Sequence, residues 1–279
     1  MNDNAELYHK NNRMQRRDAL QCLEKYSGRI KWKKSGDKII DIGCGDGSVL
    51  NLMKNYIPME YEEILGCDIS EKMIRFANLN NKDSRTKFTV LDIEGKLPET
   101  LREKFDHAFS FYALHWIKDQ ETGFRNIYDL LNENGDCLLA LLGNMPLFDV
   151  YYILARNNKW ATWLKNINCF VSPYHSSKDP EKVMKKILEK VGFNDFYVKS
   201  EEKEYGYESI ADWRKAIEAI NPFNIPSYMM DSFIEDVLHI ICDIGILRTD
   251  NYNYDDNCKI RFKYNLLIVY ASKKKLNEK

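Results

Sequence analysis

Short apolar runs and segments with helical periodicity alternate along the first half of the chain. The apolar runs are typical of buried strands and predict strands over residues 38–42, 63–68, 87–91, 106–111 and 136–142. Helical spacing between them predicts helices over 48–56, 71–81 and 123–131, and a polar amphipathic helix over 5–26 precedes the first strand. Asn134-Gly135 marks the turn into the fifth strand. This alternation predicts βαβ crossovers, so we expect an α/β fold with a doubly wound, mostly parallel sheet.

In the second half of the chain, strand and helix candidates alternate less regularly. Helical periodicity covers residues 180–191, 209–220 and 227–247, and strand candidates cover 193–199 and 259–271. The last strand follows a helical excursion and leaves little room for a crossover, so we expect it to be the antiparallel member of a seven-stranded sheet. We assign the core to residues 1–143, completed by 179–204 and 258–279. Residues 144–178 and 205–257 are candidates for a helical cap over the ligand site.

Composition narrows the class of protein. The 279 residues are 44% hydrophobic and 13% aromatic, which is enough for one large domain with a packed core. A formal net charge of -1 provides no basic field that would favour nucleic acid or an anionic membrane. Residues 1–10 lack the apolar region of a signal peptide, and no apolar run approaches the roughly 18 residues of a membrane span. We expect a cytoplasmic protein that binds neither nucleic acid nor membrane.

The cysteines and histidines give no sign of a disulfide framework or a metal centre. The seven cysteines form no C-x-x-C pair, and several lie in apolar strand candidates, which favours reduced core thiols of an intracellular protein. We expect no metal site, because no spacing typical of metal ligands occurs among His9, His107, His175 and His239.

The run Asp41-Ile42-Gly43-Cys44-Gly45-Asp46-Gly47 directly follows the first predicted strand. Its glycines allow a tight turn and a close approach to a ligand, and the next helix N-terminus favours negative charge. Asp68 and Asp92 end the second and third predicted strands at the same edge of the sheet. Asp68 follows the glycines by roughly 20 residues, which suits a ribose diol, although both acids would also serve simply to cap the turns after them. The residues predict a nucleotide-like cofactor.

The spacing G-x-G-x-G differs from the G-x-G-x-x-G of nicotinamide enzymes, and Asp41 would favour an ammonium over a pyrophosphate. Together the run, Asp68 and Asp92 resemble the motifs of class I S-adenosylmethionine (SAM)-dependent methyltransferases over roughly residues 38–143. The resemblance implies a Rossmann-like fold, SAM as cofactor and S-adenosylhomocysteine as product. A nicotinamide oxidoreductase and a non-catalytic SAM-binding protein are the alternatives. The implied contacts are Asp41, Gly43, Gly45 and Ser110 for the methionine part, Asp68 with Ile69 for the ribose, and Asp92 with Ile93 for the adenine.

Two further segments narrow the resemblance. The polar helix carries Tyr8-His9-Lys10-Asn11-Asn12-Arg13-Met14-Gln15-Arg16-Arg17-Asp18-Ala19, and the fourth strand leads into Ala113-Leu114-His115-Trp116. This pairing resembles the insect juvenile hormone acid O-methyltransferases. It implies methylation of the carboxylate of a sesquiterpenoid acid, juvenile hormone acid or farnesoic acid, in juvenile hormone biosynthesis. The A-L-x-W pattern also resembles the trans-aconitate methyltransferases, so another small or fatty carboxylic acid is the alternative substrate.

Three residues of these segments suit the chemistry of such a transfer. A carboxylic acid is ionised at pH 7, so it needs alignment and removal of water rather than a general base. Gln15 and Trp116 offer neutral N–H donors that would hold the carboxylate without quenching its charge, and His115 offers a further donor or a base for a protonated acid. Each also has a plain alternative: Trp116 as a core aromatic, Gln15 as a solvated residue and His115 as a structural histidine.

The two cap segments are rich in aromatic side chains, which would suit a long apolar substrate tail. Aromatic residues at helical spacing also occur in ordinary cores. We expect a small apolar carboxylic acid as the partner, and the sequence leaves the oligomeric state open, a homodimer included. The aromatic candidates are Phe148, Tyr151, Tyr152, Trp160, Trp163, Phe170, Tyr174, Trp213, Phe223 and Tyr228.

Overall fold

A computed structural model describes residues 4–245 and 260–274, and its strands form one seven-stranded sheet. The strands are β1 (Lys38–Ile42), β2 (Glu63–Asp68), β3 (Thr86–Val90), β4 (Phe105–Phe111), β5 (Leu131–Leu142), β6 (Asp195–Tyr207) and β7 (Ile260–Ser272). Their order across the sheet is β3-β2-β1-β4-β5-β7-β6. Neighbouring strands from β3 to β5 are parallel, whereas β7 is antiparallel to both β5 and β6. This topology confirms the predicted doubly wound α/β fold with an antiparallel last strand.

Side-chain caps mark where several helices begin. Ser70, Asp119, Asp179 and Ser209 each accept a hydrogen bond from a backbone N–H in the first turn of the helix that follows. A 3₁₀ turn, Leu114–Trp116, follows β4. The helices of the described residues are α1 (Ala5–Asn11), α2 (Arg13–Tyr26), α3 (Ser48–Met53), α4 (Glu71–Asn80), α5 (Gln120–Leu130), α6 (Pro146–Ala155), α7 (Ala161–Leu164), α8 (Pro180–Val191), α9 (Ile210–Ile220) and α10 (Ser227–Asp243).

The prediction of one unbroken helix over residues 5–26 is wrong at Asn12. This residue separates α1 from α2 with φ -89° and ψ 30°. Its buried Nδ2 donates to Oδ2 of Asp46 (3.3 Å) and to Oγ of Ser48 (2.8 Å). Because the Asn12 side chain bonds to the glycine turn instead of facing solvent, the helix is interrupted there and α1 is tied to that turn.

Several predicted strand boundaries are also corrected. β3 ends at Val90, one residue earlier than predicted, so Asp92 lies beyond the strand rather than at its end. β5 begins at residue 131 instead of 136, and β6 continues past residue 199 because it pairs with β7 as far as the Tyr207–Ile260 pair. The side chains over 199–207 are mostly polar and range from exposed to partly buried, so the apolar pattern did not reveal this edge strand. α10 ends before its predicted end at 247, and residues 246–247 and 259 lie outside the described residues.

The core lies on both faces of the sheet, because alternate strand residues point to opposite sides. Ile39 packs in the cluster that includes α2, α3, α6, α9 and α10, whereas Ile40 packs in the cluster that includes α5 and α8. Within residues 4–245 and 260–274, no helix is long and apolar enough to cross a membrane. The same residues contain no group of three or more His, Cys, Asp or Glu placed to hold a metal ion.

Candidate active site

The glycine turn after β1 lies at the edge of the sheet where the parallel strands end. Gly43, Gly45 and Gly47 have φ angles of +72°, +54° and +79°, in the left-handed region that favours glycine. A Cβ on Gly43 would lie 2.0 Å from the Cβ of Ala113. Position 43 therefore requires glycine for two reasons. Its backbone has a positive φ, and the chain that follows β4 approaches too closely to leave room for a side chain.

Asp41, near the end of β1, carries a carboxylate oxygen without a partner. The residue is 2% exposed, and its Oδ2 accepts no hydrogen bond from the described residues. Burial, and secondarily the charge of Asp68, raise the pKa of Asp41 to about 7. A buried carboxylate without partners is costly, and a cationic ligand group would relieve that cost. Asp41 therefore fits the ammonium end of a methionine-like ligand.

Asp68, the last residue of β2, both caps local turns and faces the ligand space. Its Oδ2 accepts from the N–H of Gly45 (3.0 Å), and its Oδ1 accepts from the N–H of Ser70 (2.8 Å). Burial raises the pKa of Asp68. A carboxylate has about four acceptor sites, so two backbone bonds leave capacity for a ribose hydroxyl. The turn-capping alternative and the cofactor role are therefore compatible.

Two adjoining cavities open at this edge of the sheet. The first contains about 1050 Å³ of empty space and the second about 1210 Å³, and part of each is open to solvent. Asp92, Ile69 and Ile93 line only the second cavity, and Oδ1 of Asp92 accepts from the N–H of Glu94 (2.9 Å). The residues that line both cavities are Gly43, Asp68, Ala113 and Trp116.

The structure does not bring Ser110 to either cavity. Ser110 is fully buried in β4, and its hydroxyl donates to the carbonyl of Ile42 (2.7 Å). The next residue, Phe111, lines the first cavity instead. Alternate side chains of a strand point to opposite faces of the sheet. The motif alone did not show whether Ser110 or its neighbour points toward the cavity.

Gln15, His115 and Trp116 all line the first cavity. Within the described residues, neither the Gln15 amide nor the Trp116 indole N–H makes a hydrogen bond in the protein, although Gln15 is only 7% exposed. Nδ1 of His115 accepts from the N–H of Leu142 (3.4 Å), which leaves the proton of the neutral ring on Nε2. Burial, and secondarily Lys118, lower the pKa of His115 to about 3. The cavity wall therefore carries three neutral N–H donors without protein acceptors.

Two residues at the rim of the first cavity were missed as site candidates. Tyr8 of α1 lies over the glycine turn, where a Cβ on Gly45 would be 3.7 Å from its ring, and burial raises the pKa of Tyr8. Asp46 lines the same cavity and contacts Nδ1 of His9 at 2.6 Å. The helical pattern of residues 5–26 predicted a helix with a solvent-exposed polar face. The spacing of its residues did not indicate a contact with the glycine turn after β1.

Only some of the aromatic candidates of the cap segments reach the cavities. Phe148 and Tyr151 line the first cavity and Phe170 the second, whereas Trp160 and Trp213 are buried in the core and Tyr228 is 84% exposed. The first cavity is largely apolar away from the glycine turn. Its other apolar wall residues are Met14, Val49, Met73, Phe111, Tyr112, Leu142, Met145, Leu147, Ala219 and Ile220.

Comparisons with known proteins agree with this geometry. A protein-family model described as "Methyltransferase domain" matches residues 40–137. The juvenile hormone acid O-methyltransferase of Bombyx mori is 48% identical over 271 residues, covering 97% of this chain and 98% of that protein. The juvenile hormone acid O-methyltransferase of Drosophila melanogaster is 35% identical, covering 96% and 92%.

Solved structures support the fold assignment. The YcgJ protein of Bacillus subtilis has a TM-score of 0.61 at 15% identity, covering 92% of this chain and 99% of that one. A putative methyltransferase of Bacillus halodurans has a TM-score of 0.57 at 16% identity, covering 91% and 99%. At these identities the likeness concerns the fold, which is that of class I SAM-dependent methyltransferases.

Proposed function

This chain belongs to the juvenile hormone acid O-methyltransferase family, and we propose that it transfers a methyl group from SAM to the carboxylate of a sesquiterpenoid acid. Juvenile hormone acid and farnesoic acid are the proposed substrates, and their methyl esters are the products, in juvenile hormone biosynthesis. The observation that carries the proposal is the set of three neutral N–H donors, on Gln15, His115 and Trp116, that line the first cavity.

The residues of the glycine turn fit SAM, which when bound supplies a sulfonium methyl group open to displacement by an oxygen nucleophile. Asp41 offers a buried, unpartnered carboxylate for the ammonium of the methionine part. Asp68 retains acceptor capacity for the ribose hydroxyls after its two backbone bonds. Asp92, with Ile69 and Ile93, lines the second cavity, where an amine-bearing flat ring would lie between apolar side chains.

The three donors suit a carboxylate acceptor. An acid with a pKa near 4.3 is ionised at neutral pH, so the site has to align and desolvate it rather than deprotonate it. A carboxylate that leaves water must keep hydrogen bonds, and neutral N–H groups supply them without neutralising its charge. Because the pKa of His115 is lowered to about 3, this residue is uncharged at neutral pH and we assign it as a donor through Nε2 rather than a base.

The remaining wall of the first cavity favours a long apolar acid over a small polar one. Leu147 and Phe148 of α6, Met14 of α2 and Ile220 of α9 line this space, together with the ring of Tyr151, whose hydroxyl is buried without a partner. Apolar and aromatic walls with a few convergent polar groups are typical of sites for apolar small molecules. A triacid such as trans-aconitate would leave two further carboxylates against these side chains, which is unfavourable.

Methyl transfer to a panel of acids tests the proposal. Purified protein is incubated with methyl-labelled SAM and juvenile hormone acid, farnesoic acid, a saturated fatty acid or trans-aconitate, and labelled ester is extracted and counted. We expect label in the first two esters. Transfer only to the fatty acid or trans-aconitate would replace the substrate assignment, and no transfer to any acid would contradict the reaction. Calorimetry with SAM and with NAD separates a SAM-binding protein from a nicotinamide enzyme.

A further inference from the structure

A buried carboxylate outside the cofactor and acid sites joins the two segments that carry the proposed donors. Asp18 of α2 is fully buried. Its Oδ1 accepts from Nε (3.0 Å) and Nη2 (2.7 Å) of Arg17, and its Oδ2 accepts from the hydroxyls of both Tyr112 and Tyr264. Neither Asp18 nor Arg17 lines either of the two cavities, so ligand contact does not explain why this carboxylate is buried.

The position of the cluster relates it to the donors. Asp18 lies one helical turn after Gln15 on α2, so the two side chains share a face of that helix. Tyr112 is the first residue after β4 and begins the segment that continues to His115 and Trp116. The Tyr112–Asp18 hydrogen bond therefore connects the helix that carries the Gln15 amide with the segment that carries the Trp116 indole.

Tyr112 also has a backbone conformation that needs to be held. Its φ of +60° lies in the left-handed region, which a bulky residue rarely adopts without compensating contacts. Its N–H donates to the carbonyl of Ala140 (2.8 Å), and its ring lines the first cavity while its hydroxyl bonds to Asp18. This conformation seats Ala113 against Gly43, at the junction of the two cavities.

The other contacts of Asp18 and Arg17 reach β7 and the edge strand β6. Tyr264 belongs to β7, and Nη2 of Arg17 also donates to its hydroxyl (2.8 Å). Nη1 of Arg17 donates to the carbonyl of Glu204 in β6 (2.8 Å). Burial, together with Asp18, raises the pKa of Tyr112, so its hydroxyl remains a donor throughout the working pH range.

We propose that Asp18 is a positioning residue: by holding the Tyr112 hydroxyl, it fixes the register of Gln15 on α2 relative to His115 and Trp116 after β4. This inference rests on the proposed function, because that function assigns the donors of Gln15, His115 and Trp116 to a single substrate carboxylate. Asp18 lines neither cavity, so we assign it no contact with substrate or cofactor. Asp18 acts by setting the distance between donors that have to reach the same acid group. A displacement of a catalytic group by about 1 Å lowers the reaction rate on the order of a hundredfold.

Two tyrosine-to-phenylalanine variants form a matched pair. Tyr112→Phe and Tyr264→Phe each remove one phenol from the same oxygen of Asp18, but only Tyr112 belongs to the segment that carries the donors. We expect similar losses of thermal stability. Tyr112→Phe should lower kcat/KM for the acid by about tenfold or more, whereas Tyr264→Phe stays within about threefold of wild type. Equal losses of kcat/KM in the two variants would overturn the proposal, as would wild-type activity of Tyr112→Phe.

A double-mutant cycle tests whether the effect passes through Gln15. In the Gln15→Ala background there is no amide left to position, so the additional loss caused by Tyr112→Phe should shrink to less than about threefold. If the two losses simply multiply, Tyr112 acts independently of Gln15 and the proposal is wrong. Asp18→Asn, which keeps the size of the side chain but removes its charge, should show the same dependence on Gln15.

Hydrogen exchange decides the question independently of turnover. Tyr112→Phe should increase amide exchange in peptides covering residues 13–18 and 112–117, and Tyr264→Phe should leave both within error of wild type. If wild-type protein methylates no acid while this exchange difference is present, the proposed function fails and the coupling of the two segments stands. Unchanged exchange in Tyr112→Phe contradicts the coupling, whatever the enzyme methylates.

Discussion

The backbone N–H of Leu142 donates to Nδ1 of His115, and this bond places the proton of the neutral ring on Nε2. Leu142 ends β5 and His115 follows β4, so the bond links the ends of two neighbouring parallel strands at the first cavity. Protonation of the ring would break it, because Nδ1 would then carry a hydrogen facing another N–H. Burial, and secondarily the charge of Lys118, lower the pKa of His115 to about 3.

The first prediction concerns stability at low pH. In the unfolded chain a histidine binds a proton with a pKa near 6.5, whereas folded His115 does so only near 3. The unfolded state therefore binds more protons between these values, and the free energy of unfolding falls as the pH decreases through this window. His115 alone should contribute a loss of about 1.4 kcal/mol per pH unit below about pH 6.5. Urea unfolding at about pH 7 and about pH 5 measures it.

His115→Asn is the control for this prediction, because an amide oxygen still accepts from Leu142 but does not titrate. Between about pH 7 and pH 5 the variant should lose about 2 kcal/mol less stability than wild type. An identical pH dependence of the two proteins would mean that His115 is protonated at the same pH in the folded and unfolded states.

The second prediction is that SAM binding releases a proton at Asp41. The pKa of this carboxyl is raised to about 7 without ligand, and an ammonium partner requires it ionised. Below about pH 7 the free protein has to lose that proton, so SAM affinity should fall by up to about tenfold per pH unit. Calorimetry in two buffers of different ionisation enthalpy should report close to one proton released near pH 6.

Asp41→Asn should abolish this proton release and weaken SAM binding at every pH. It should also raise the stability of the ligand-free protein at about pH 8 by at least about 1 kcal/mol, since a buried charge without a partner is removed. The sign follows from the raised pKa, because the folded state binds more protons than the unfolded state and loses stability as pH rises toward 7. A less stable variant at that pH would contradict the assignment.

The third prediction contrasts two glycines of the same turn. Gly43→Ala adds a Cβ 2.0 Å from that of Ala113, whereas the nearest atom to a Cβ on Gly45 is 3.7 Å away on Tyr8. Both positions carry the left-handed cost of alanine, about 1–2 kcal/mol, but only Gly43→Ala adds a backbone-fixed clash. Thermal unfolding and SAM calorimetry should show a much larger loss for Gly43→Ala. Adding Ala113→Gly should recover part of it, and no recovery would place the damage elsewhere.

The residues that we propose hold the cofactor were the most predictable part of the candidate site. Asp41 and Asp68 follow apolar strand runs, and the carboxyl ends of parallel strands meet at one edge, so their proximity follows from the strand pattern alone. Ser110 does not line the site, because its side chain bonds to the carbonyl of Ile42. The motif does not show which residues of the strand point to the ligand face of the sheet. The break at Asn12 depends on a contact with Asp46 that no local pattern contains.

The proposed acid site was predictable only in part, for a related reason. Gln15 and Trp116 were found through their resemblance to a family, whereas their periodicity alone favoured a polar surface and a core aromatic. The Tyr112–Asp18 bond joins residues far apart in sequence. Tyrosine rarely adopts a positive φ, so the residue type at position 112 did not indicate this backbone conformation. Side-chain contacts between residues far apart in sequence therefore limited the prediction more than the assignment of strands and helices did.

The last prediction tests whether Gln15 faces a carboxylate. Gln15 is assigned to the acid and not to SAM, so Gln15 variants should leave SAM affinity within about threefold of wild type, whereas Trp116 borders both cavities. Gln15→Ala removes one hydrogen bond to a charged group, worth about 1.5–3 kcal/mol, and should lower kcat/KM for the acid by about 10- to 100-fold. Trp116→Phe, which keeps an aromatic ring but lacks the N–H, should show a loss of the same order.

Gln15→Glu makes the test specific for the charge of the acceptor. The new carboxylate is close in size to the amide, but it faces an anionic substrate, and like charges brought together in an interface cost several kcal/mol. Turnover should therefore fall about another hundredfold or more below that of Gln15→Ala at neutral pH, while SAM calorimetry stays unchanged. Partial recovery of Gln15→Glu at lower pH, where its side chain gains a proton and becomes a donor, is expected from the same cause. If Gln15→Glu methylates the acid as fast as Gln15→Ala, Gln15 does not contact the carboxylate.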